Sequence, residues 1–403
     1  MYENGKLITA GLRDRVPSGP LGVKKYIPEK CNNGYTLFSP AFGYTEYLMD
    51  MNGLIVHTWP VTHSQLGELL PNGNLLVDNY RFWLEELLPD GSRIWIWEGN
   101  EKLEWAYHHD FYIANEDEIF LLARKKEPVI EGFYQKGLKP ECMNTDLVLK
   151  INRQKDILWE FSFSEHLDEL CKLSGLPLPV SYVRCRKKGD QFRPYRQGDW
   201  AHTNTVEVLP STPLGEKDSR FRAGNILVSF RSLDIIAIID PEKNALVWCY
   251  GLGLLDGQHQ PTMLDNGNIL IFDNGTYRGY SVVREINPVT EKIVWEYMDG
   301  ENFYSPYRAG VQRFSNGNTL ICESDAGRIF EVTSNKEIVW DFYSPFVGQG
   351  KIHQGKHIYR ATRYPYSYAE PLLRTRKDEV DSVADEQRHI IKTYSELMEL
   401  YRT

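Results

Sequence analysis

Residues 257–297 read GQHQPTMLDNGNILIFDNGTYRGYSVVREINPVTEKIVWEY, and this stretch decides the fold. Asn266-Gly267 stands between two apolar runs. An Asn-Gly pair in that setting is the strongest short hairpin signal, because a type I′ turn needs φ > 0 at both central residues. Further on, a polar turn precedes an apolar run that ends in Trp295, an acid and an aromatic residue. Both features recur. The hairpin returns as LPNGNLLV at 70–77 and FSNGNTLIC at 314–322. The Trp pattern returns as DMNGLIVHTW (Trp59), LPDGSRIWIWE (Trp97), NRQKDILWEF (Trp159), DPEKNALVWCY (Trp248) and TSNKEIVWDF (Trp340). About four short strands per unit, over roughly 40–50 residues, is the period of a propeller blade. The pattern predicts an all-β chain folded as a six-bladed β-propeller.

Closure of the ring is also predicted. The first unit opens directly on GYTLFSP (34–40) and lacks the inner strand of the others, while GKHIYRATRYP (355–365) is left over after Trp340. Pairing of 355–363 against 34–40 supplies the missing strand and removes exposed edges. The expected organisation is an N-terminal extension 1–33, a propeller over 34–365 and a helical tail over 366–403. In the tail, DEQRHIIKTYSELMELYR repeats apolar residues at helical spacing. It is expected to form an amphipathic helix packed on the ring or on a partner, with a homo-oligomer as one outcome.

Bulk properties narrow the function classes. A net charge of −9 gives the chain as a whole no nucleic-acid footprint, so any anion site must be a local basic patch. No run of about 18 apolar residues occurs and the first residues lack an apolar signal core, so neither membrane nor export is expected and the location is read as cytoplasmic. Cys31, Cys142, Cys171, Cys185, Cys249 and Cys322 form no CxxC pair. A disulfide framework and a zinc site are therefore not expected, and neither a metal nor an organic cofactor is invoked.

The inner strands, placed by the turns, are 105–114, 200–208, 257–264, 307–313 and 355–363. Five histidines fall in them: His108, His109, His202, His259 and His357. Strand alternation lets only one of His108 and His109 face a central channel. Arg231 and Arg278 follow the second strands of blades four and five, and Arg308 opens blade six. Imidazoles converging with guanidinium groups make a cationic pocket suited to an oxyanion and to acid, base or nucleophile roles near neutral pH. His57, His63, His166 and His389 are read as surface residues. The segment 160–199 opens with the helix-like SEHLDELCKLSG and carries Arg184, Arg186, Lys187, Lys188, Arg193 and Arg196, a basic lid over an anionic substrate.

Several of these segments resemble the bacterial aryl-sulfate sulfotransferase family, six-bladed propellers that move a sulfuryl group from an aryl sulfate to a phenol. DWAHTNT (199–205) is similar to the family's Asp-Trp-x-His-x-Asn-Ser/Thr, and IFDNGTYR (271–278) to its Phe-Asp-Asn-Gly-x-x-Arg. GQHQP, HHDF and GYTLFSP…YLMDMNGLIVHTW also resemble family segments. The resemblance spans roughly 34–365. It implies that His202, His259 and Arg278 bind and polarise sulfate oxygens, and that Trp200 and Asn204 fix His202. The family's nucleophilic histidine stands directly before Tyr-Arg-Ala; in KHIYRAT, His357 comes one residue earlier and Ile358 holds the matching place. A one-residue slip turns a strand side chain to the other face unless a bulge intervenes.

The leading expectation is a sulfotransferase-like enzyme with His202, His259, Arg278 and His357 catalytic. His109, Asn204, Arg231, Tyr277, Arg308 and Arg196 would bind a small anionic aromatic substrate. Acid–base elimination on an anionic substrate by His, Arg and Tyr (Tyr277, Tyr359), or another group transfer, is the alternative, and a non-catalytic binding propeller the third reading.

Overall fold

The computed structural model describes residues 2–3, 6–7, 21–79, 83–99, 106–133, 141–178, 185–188, 191–194, 199–349 and 354–373. Six antiparallel sheets follow one another along the chain and form a six-bladed β-propeller. Blade one holds Tyr35–Pro40, Gly43–Met49 and Ile55–Ser64, and blade two Gly67–Leu69, Leu75–Asn79, Trp83–Leu87 and Arg93–Trp97. Blade three is Ala106–Ile113, Glu118–Glu127, Met143–Asn152 and Ile157–Ser162; blade four is Thr203–Val208, Ile226–Phe230, Ile235–Asp240 and Ala245–Tyr250. Blade five is His259–Met263, Ile269–Asp273, Val282–Ile286 and Ile293–Tyr297; blade six is Gly310–Arg313, Thr319–Glu323, Arg328–Val332 and Ile338–Tyr343. Two compact units are distinguished, residues 1–79, 85–95 and 312–403 in one and 80–84 and 96–311 in the other. No helix among the described residues is long and apolar enough to cross a membrane.

Blade one is completed by Ile358–Tyr364, which pairs with Tyr35–Pro40 in the register Ala361↔Phe38, Thr362↔Leu37 and Arg363↔Thr36. The N-terminal extension expected over 1–33 is not wholly outside the sheets. Gly22–Tyr26 pairs with Ile338–Tyr343 as a fifth strand on blade six and covers an edge that would otherwise be open.

The repeated tryptophans all fall in fourth strands. Their role is visible at two of them. Trp248 Nε1 donates to Pro288 O at 3.2 Å, and Trp340 Nε1 donates to Met51 O at 2.8 Å. In each case the indole is buried and its N–H reaches the outer turn of the following blade, so one residue both fills the gap and satisfies its own polar atom. His57, expected at the surface, does the same work in blade one: it is buried, and its Nε2 lies 2.9 Å from Pro89 O. First strands are lashed in a similar way. Val206 N donates to Asp110, Gln260 N to Thr205, Val311 N to Gln260 Oε1 and Arg363 N to Gln312 Oε1.

The Asn-Gly hairpins differ from the expected type I′ turn. Gly73, Gly267 and Gly317 have φ of 88°, 83° and 85°, but Asn72, Asn266 and Asn316 do not enter the left-handed region. The amide of each glycine donates three residues back, to Leu70, Leu264 and Phe314. This is a type I turn closed by a left-handed glycine, the common three-residue hairpin loop. The Asn before each glycine accepts from the amide two residues on, and the Asn after it donates to a buried glutamate of the third strand: Glu86, Glu285 or Glu331.

Within 160–199 the helix is Leu167–Ser174, stopped by Gly175 at φ 74° and burying Leu167 and Leu170. A hairpin pairs Cys185–Lys188 with Gln191–Pro194. Arg184 and Arg196 lie outside the described residues, as do the side chains of Arg186, Lys187, Lys188 and Arg193. At the other end, Tyr366–Leu373 is a short helix that packs Ala369 and Leu372 with Trp59, Leu69 and Leu75. The amphipathic helix expected beyond it, with His389, lies outside the described residues.

Candidate active site

The first strands of blades three, four and five each break register near their beginning: between Tyr107 and Phe111, Thr203 and Thr205, and His259 and Thr262. A non-glycine residue with positive φ sits at or beside each break: His109 at 66°, His202 at 48° and Gln260 at 44°. Arg308 and Ala309, entering blade six, have φ of 58° and 81°. Each such residue costs about 1–3 kcal/mol and persists only where its surroundings impose it. A bulge at this point re-aims side chains. Its effect overturns the expectation that strand alternation separates His108 from His109. The two rings lie 4.1 Å apart, and both converge with His202, one ring nitrogen from each falling within 4.8 Å of the others.

Buried charges orient this cluster. Asp199 Oδ2 lies 2.7 Å from His202 Nδ1, and Arg124 Nη2 donates to Asp199 Oδ1 at 2.7 Å. The same guanidinium donates through Nε to Asp146 Oδ1 at 2.8 Å, and His108 Nδ1 stands 3.3 Å from that oxygen. Asp146 Oδ2 also accepts from Thr203 N at 2.6 Å. A carboxylate can only accept, so His202 carries its proton on Nδ1 and presents a lone pair at Nε2. His109 Nε2 is 3.0 Å from that nitrogen. Burial holds the His202 pKa below the usual imidazole range, against the opposing pull of Asp199, and Arg231 adds to the lowering. Arg231 is itself buried, with its guanidinium 4.9 Å from the Tyr307 ring.

His259 is fixed on the next blade. Its Nδ1 faces Asn274 Oδ1 at 2.8 Å and Gly257 O at 3.1 Å. Asn274 Nδ2 donates to Ser305 O and Arg308 O, which settles the amide's orientation and makes Oδ1 the acceptor. His259 Nε2 is then the basic nitrogen. Asn204 is fully buried and donates to Gln258 O at 2.9 Å, tying the His202 strand to the His259 strand.

Other expected residues are placed differently. Arg278 is bonded within its own blade: Nη1 donates to Asp273 Oδ2 at 2.9 Å, Nη2 to Asp273 O, and Nε to Tyr280 O. Its fork closes the loop after the second strand of blade five. Tyr277 is exposed, and its backbone N–H binds Asp256. Trp200 is a core residue, edge-on to Phe133. His357 belongs to the other compact unit, where its Nδ1 lies 3.4 Å from Asp325 Oδ1. A register break between Ile358 and Ala361 accompanies it, and Ile358 is buried in an apolar cluster with Phe38 and Cys322. Arg124 and Asp146 are the members that the sequence did not mark, while His108 was marked as an inner-strand histidine but given no role, and Asn274 lay unremarked inside the quoted IFDNGTYR. Asp199 was inside the quoted DWAHTNT, where its i,i+3 relation to His202 was the available signal.

No curated protein matches the chain. Several hundred solved chains match it in fold. A Bacteroides caccae protein of unknown function shares 14% identity, with 82% of this chain and 98% of that one covered at a TM-score of 0.50. A virginiamycin B lyase from Staphylococcus aureus shares 10% identity over 81% and 86% at 0.42. AztD from Citrobacter koseri shares 9% over 83% and 99% at 0.43. At these identities the likeness is one of fold. A sequence profile described as arylsulfotransferase (ASST) matches residues 86–344, more than half of the chain and the whole of the histidine cluster, and the chain belongs to that family.

Proposed function

We propose that the protein transfers a sulfuryl group from an aryl sulfate to a phenol through a histidine carrier. One observation supports the reading most directly. His202 and His259 both have Nδ1 turned to an oxygen acceptor, which makes Nε2 the basic nitrogen of each. The carrier's Nε2 lone pair forms an N–S bond as the aryl O–S bond breaks; the aryloxide leaves with the bonding pair and takes up a proton. A phenol then surrenders its proton to a base and attacks sulfur, and the S–N bond breaks to restore the histidine. Arg231, next to His202 and stacked over Tyr307, offers charge to the sulfuryl oxygens and an aromatic surface beside it.

Two histidines are candidates for the carrier on different grounds, His357 by standing one residue before the matching place of the C-terminal motif, beside a register break, and His259 by its fixed proton. Incubation with 4-nitrophenyl sulfate and a phenol acceptor tests the activity. Nitrophenol release that depends on the acceptor, with ping-pong kinetics, is expected; a folded protein that releases none overturns the reading. Peptide mass mapping after a quench with donor present is expected to place one sulfuryl group on the carrier's peptide.

A further inference from the structure

The three imidazoles of His108, His109 and His202 come from two neighbouring blades, and one nitrogen of each lies within 4.8 Å of the others. Sequence spacing gives no hint of this, since the bulge at His109 creates it. Three further facts separate the cluster from an ordinary stack of buried rings. His109 Nε2 and His202 Nε2 point at each other across 3.0 Å. A tetrahedral ion with metal–nitrogen bonds of about 2.0–2.1 Å holds such a pair roughly 3.3 Å apart, so a few tenths of an ångström separate the two arrangements. Asp146 Oδ1 lies 3.3 Å from His108 Nδ1, and at His202 a buried carboxylate holds the other nitrogen, Asp199 Oδ2 standing 2.7 Å from Nδ1. That carboxylate–histidine pairing is the usual support of a metal-binding imidazole, because it fixes the tautomer and raises ligand basicity. Finally, Arg124 bridges both carboxylates, with Nε on Asp146 and Nη2 on Asp199, and so ties together the groups behind two of the rings.

We propose that His108, His109 and His202 bind one Zn²⁺ with a fourth position open to an oxygen of the anionic substrate. Three neutral imidazoles and one open position make the donor set of a catalytic rather than a structural zinc. The anion at the fourth position rests on the sulfuryl-transfer reading, whereas the ion itself does not.

The test uses the full chain, stripped with a chelator and titrated first with Zn²⁺ and then with Co²⁺. One tightly bound Zn²⁺ per chain is expected, and with Co²⁺ the intense visible absorption of a tetrahedral nitrogen-ligated site. His109→Ala and His202→Ala should lose stoichiometric binding, and Asp199→Asn should weaken it about 10–100-fold. His63→Ala, outside the cluster, should bind as the parent does. His109→Gln, with folding checked by circular dichroism, guards against loss of binding through unfolding. Absence of stoichiometric binding in the parent overturns the proposal, as does full retention by folded His109→Gln and His202→Ala. Adding an aryl sulfate to the Co²⁺ form should shift its spectrum; a tetrahedral spectrum that ignores the anion removes the open-position half. Acceptor-dependent turnover that survives complete metal removal would overturn the zinc's part in the reaction and leave the transferase reading standing.

Discussion

Arg278 shows how much a side chain's partners matter beyond its place in a motif. Its guanidinium and that of Arg284 face the buried carboxylate of Asp273, at 2.9 and 3.2 Å. Burial pushes the Asp273 pKa up, and Arg278 is the first of the charges that hold it down. Arg278→Ala removes the nearer partner and the clasp on Tyr280 O. Breaking a buried pair on one side costs about 3–5 kcal/mol; because Arg284 remains, a loss at or just below the lower end is expected, seen as a lower melting temperature whether or not substrate is turned over. A variant as stable as the parent would return Arg278 to a purely substrate-facing role. His202 and His259 are the opposite case, since each ring is held at Nδ1 and turns Nε2 outward from its support.

Among elements, the three Gly-closed hairpins allow a matched comparison. Gly267 and Gly317 share the same left-handed turn, but a Cβ on Gly267 would stand 2.6 Å from Leu214 Cβ, while one on Gly317 meets nothing within 4 Å. Gly317→Ala is expected to cost about 1–2 kcal/mol of left-handed strain. Gly267→Ala should cost visibly more, by the clash added to the same strain; equal denaturation midpoints would contradict this. A second element-level test lies where blades one and two meet. Glu46 and Asp78 are buried around Ser64 Oγ, and burial raises the pKa of each to about 7. The folded state therefore binds protons that the unfolded chain releases until the pH falls to the ordinary carboxylate range. Stability from this pair should rise as pH falls from about 8 to about 5, by up to ~1.4 kcal/mol per pH unit for each proton taken up. Glu46→Gln should flatten that slope in urea titrations followed across pH.

These elements also show what the sequence could and could not disclose. Turn chemistry and the Trp of each fourth strand are local signals, so blade number, strand order and the closing pair were legible. The convergence of His108 with His109 was not, because it depends on a backbone break that alternation cannot foresee. Arg124 and Asp146 come from second and third strands with no motif around them, and only the folded sheet brings them behind the histidines. His57 was misread because an imidazole can stand in for an indole between blades, an exchange invisible until both rings are placed.

At the scale of the molecule, one ion pair fastens the closing strand. Arg363, in the strand that completes blade one, is fully buried; it reaches Glu331 of blade six at 2.5 Å and donates to Thr36 and Asn32 O. Arg363→Met leaves Glu331 charged and enclosed, and a loss of about 3–5 kcal/mol is expected. The double variant with Glu331→Leu should recover part of it, less the bonds Glu331 accepts from Asn318 and Asn32. A double variant no better than the single one would mean that the strand is held by its ladder alone. The same strand sets the order of events as the chain is made. Tyr35–Pro40 is made long before the partner that completes its sheet, Ile358–Tyr364, with the other five blades lying between them in the chain. Until all six blades have been made the first sheet waits one strand short with its pairing groups open, so a nascent chain is expected to expose a strand edge that only ring closure covers.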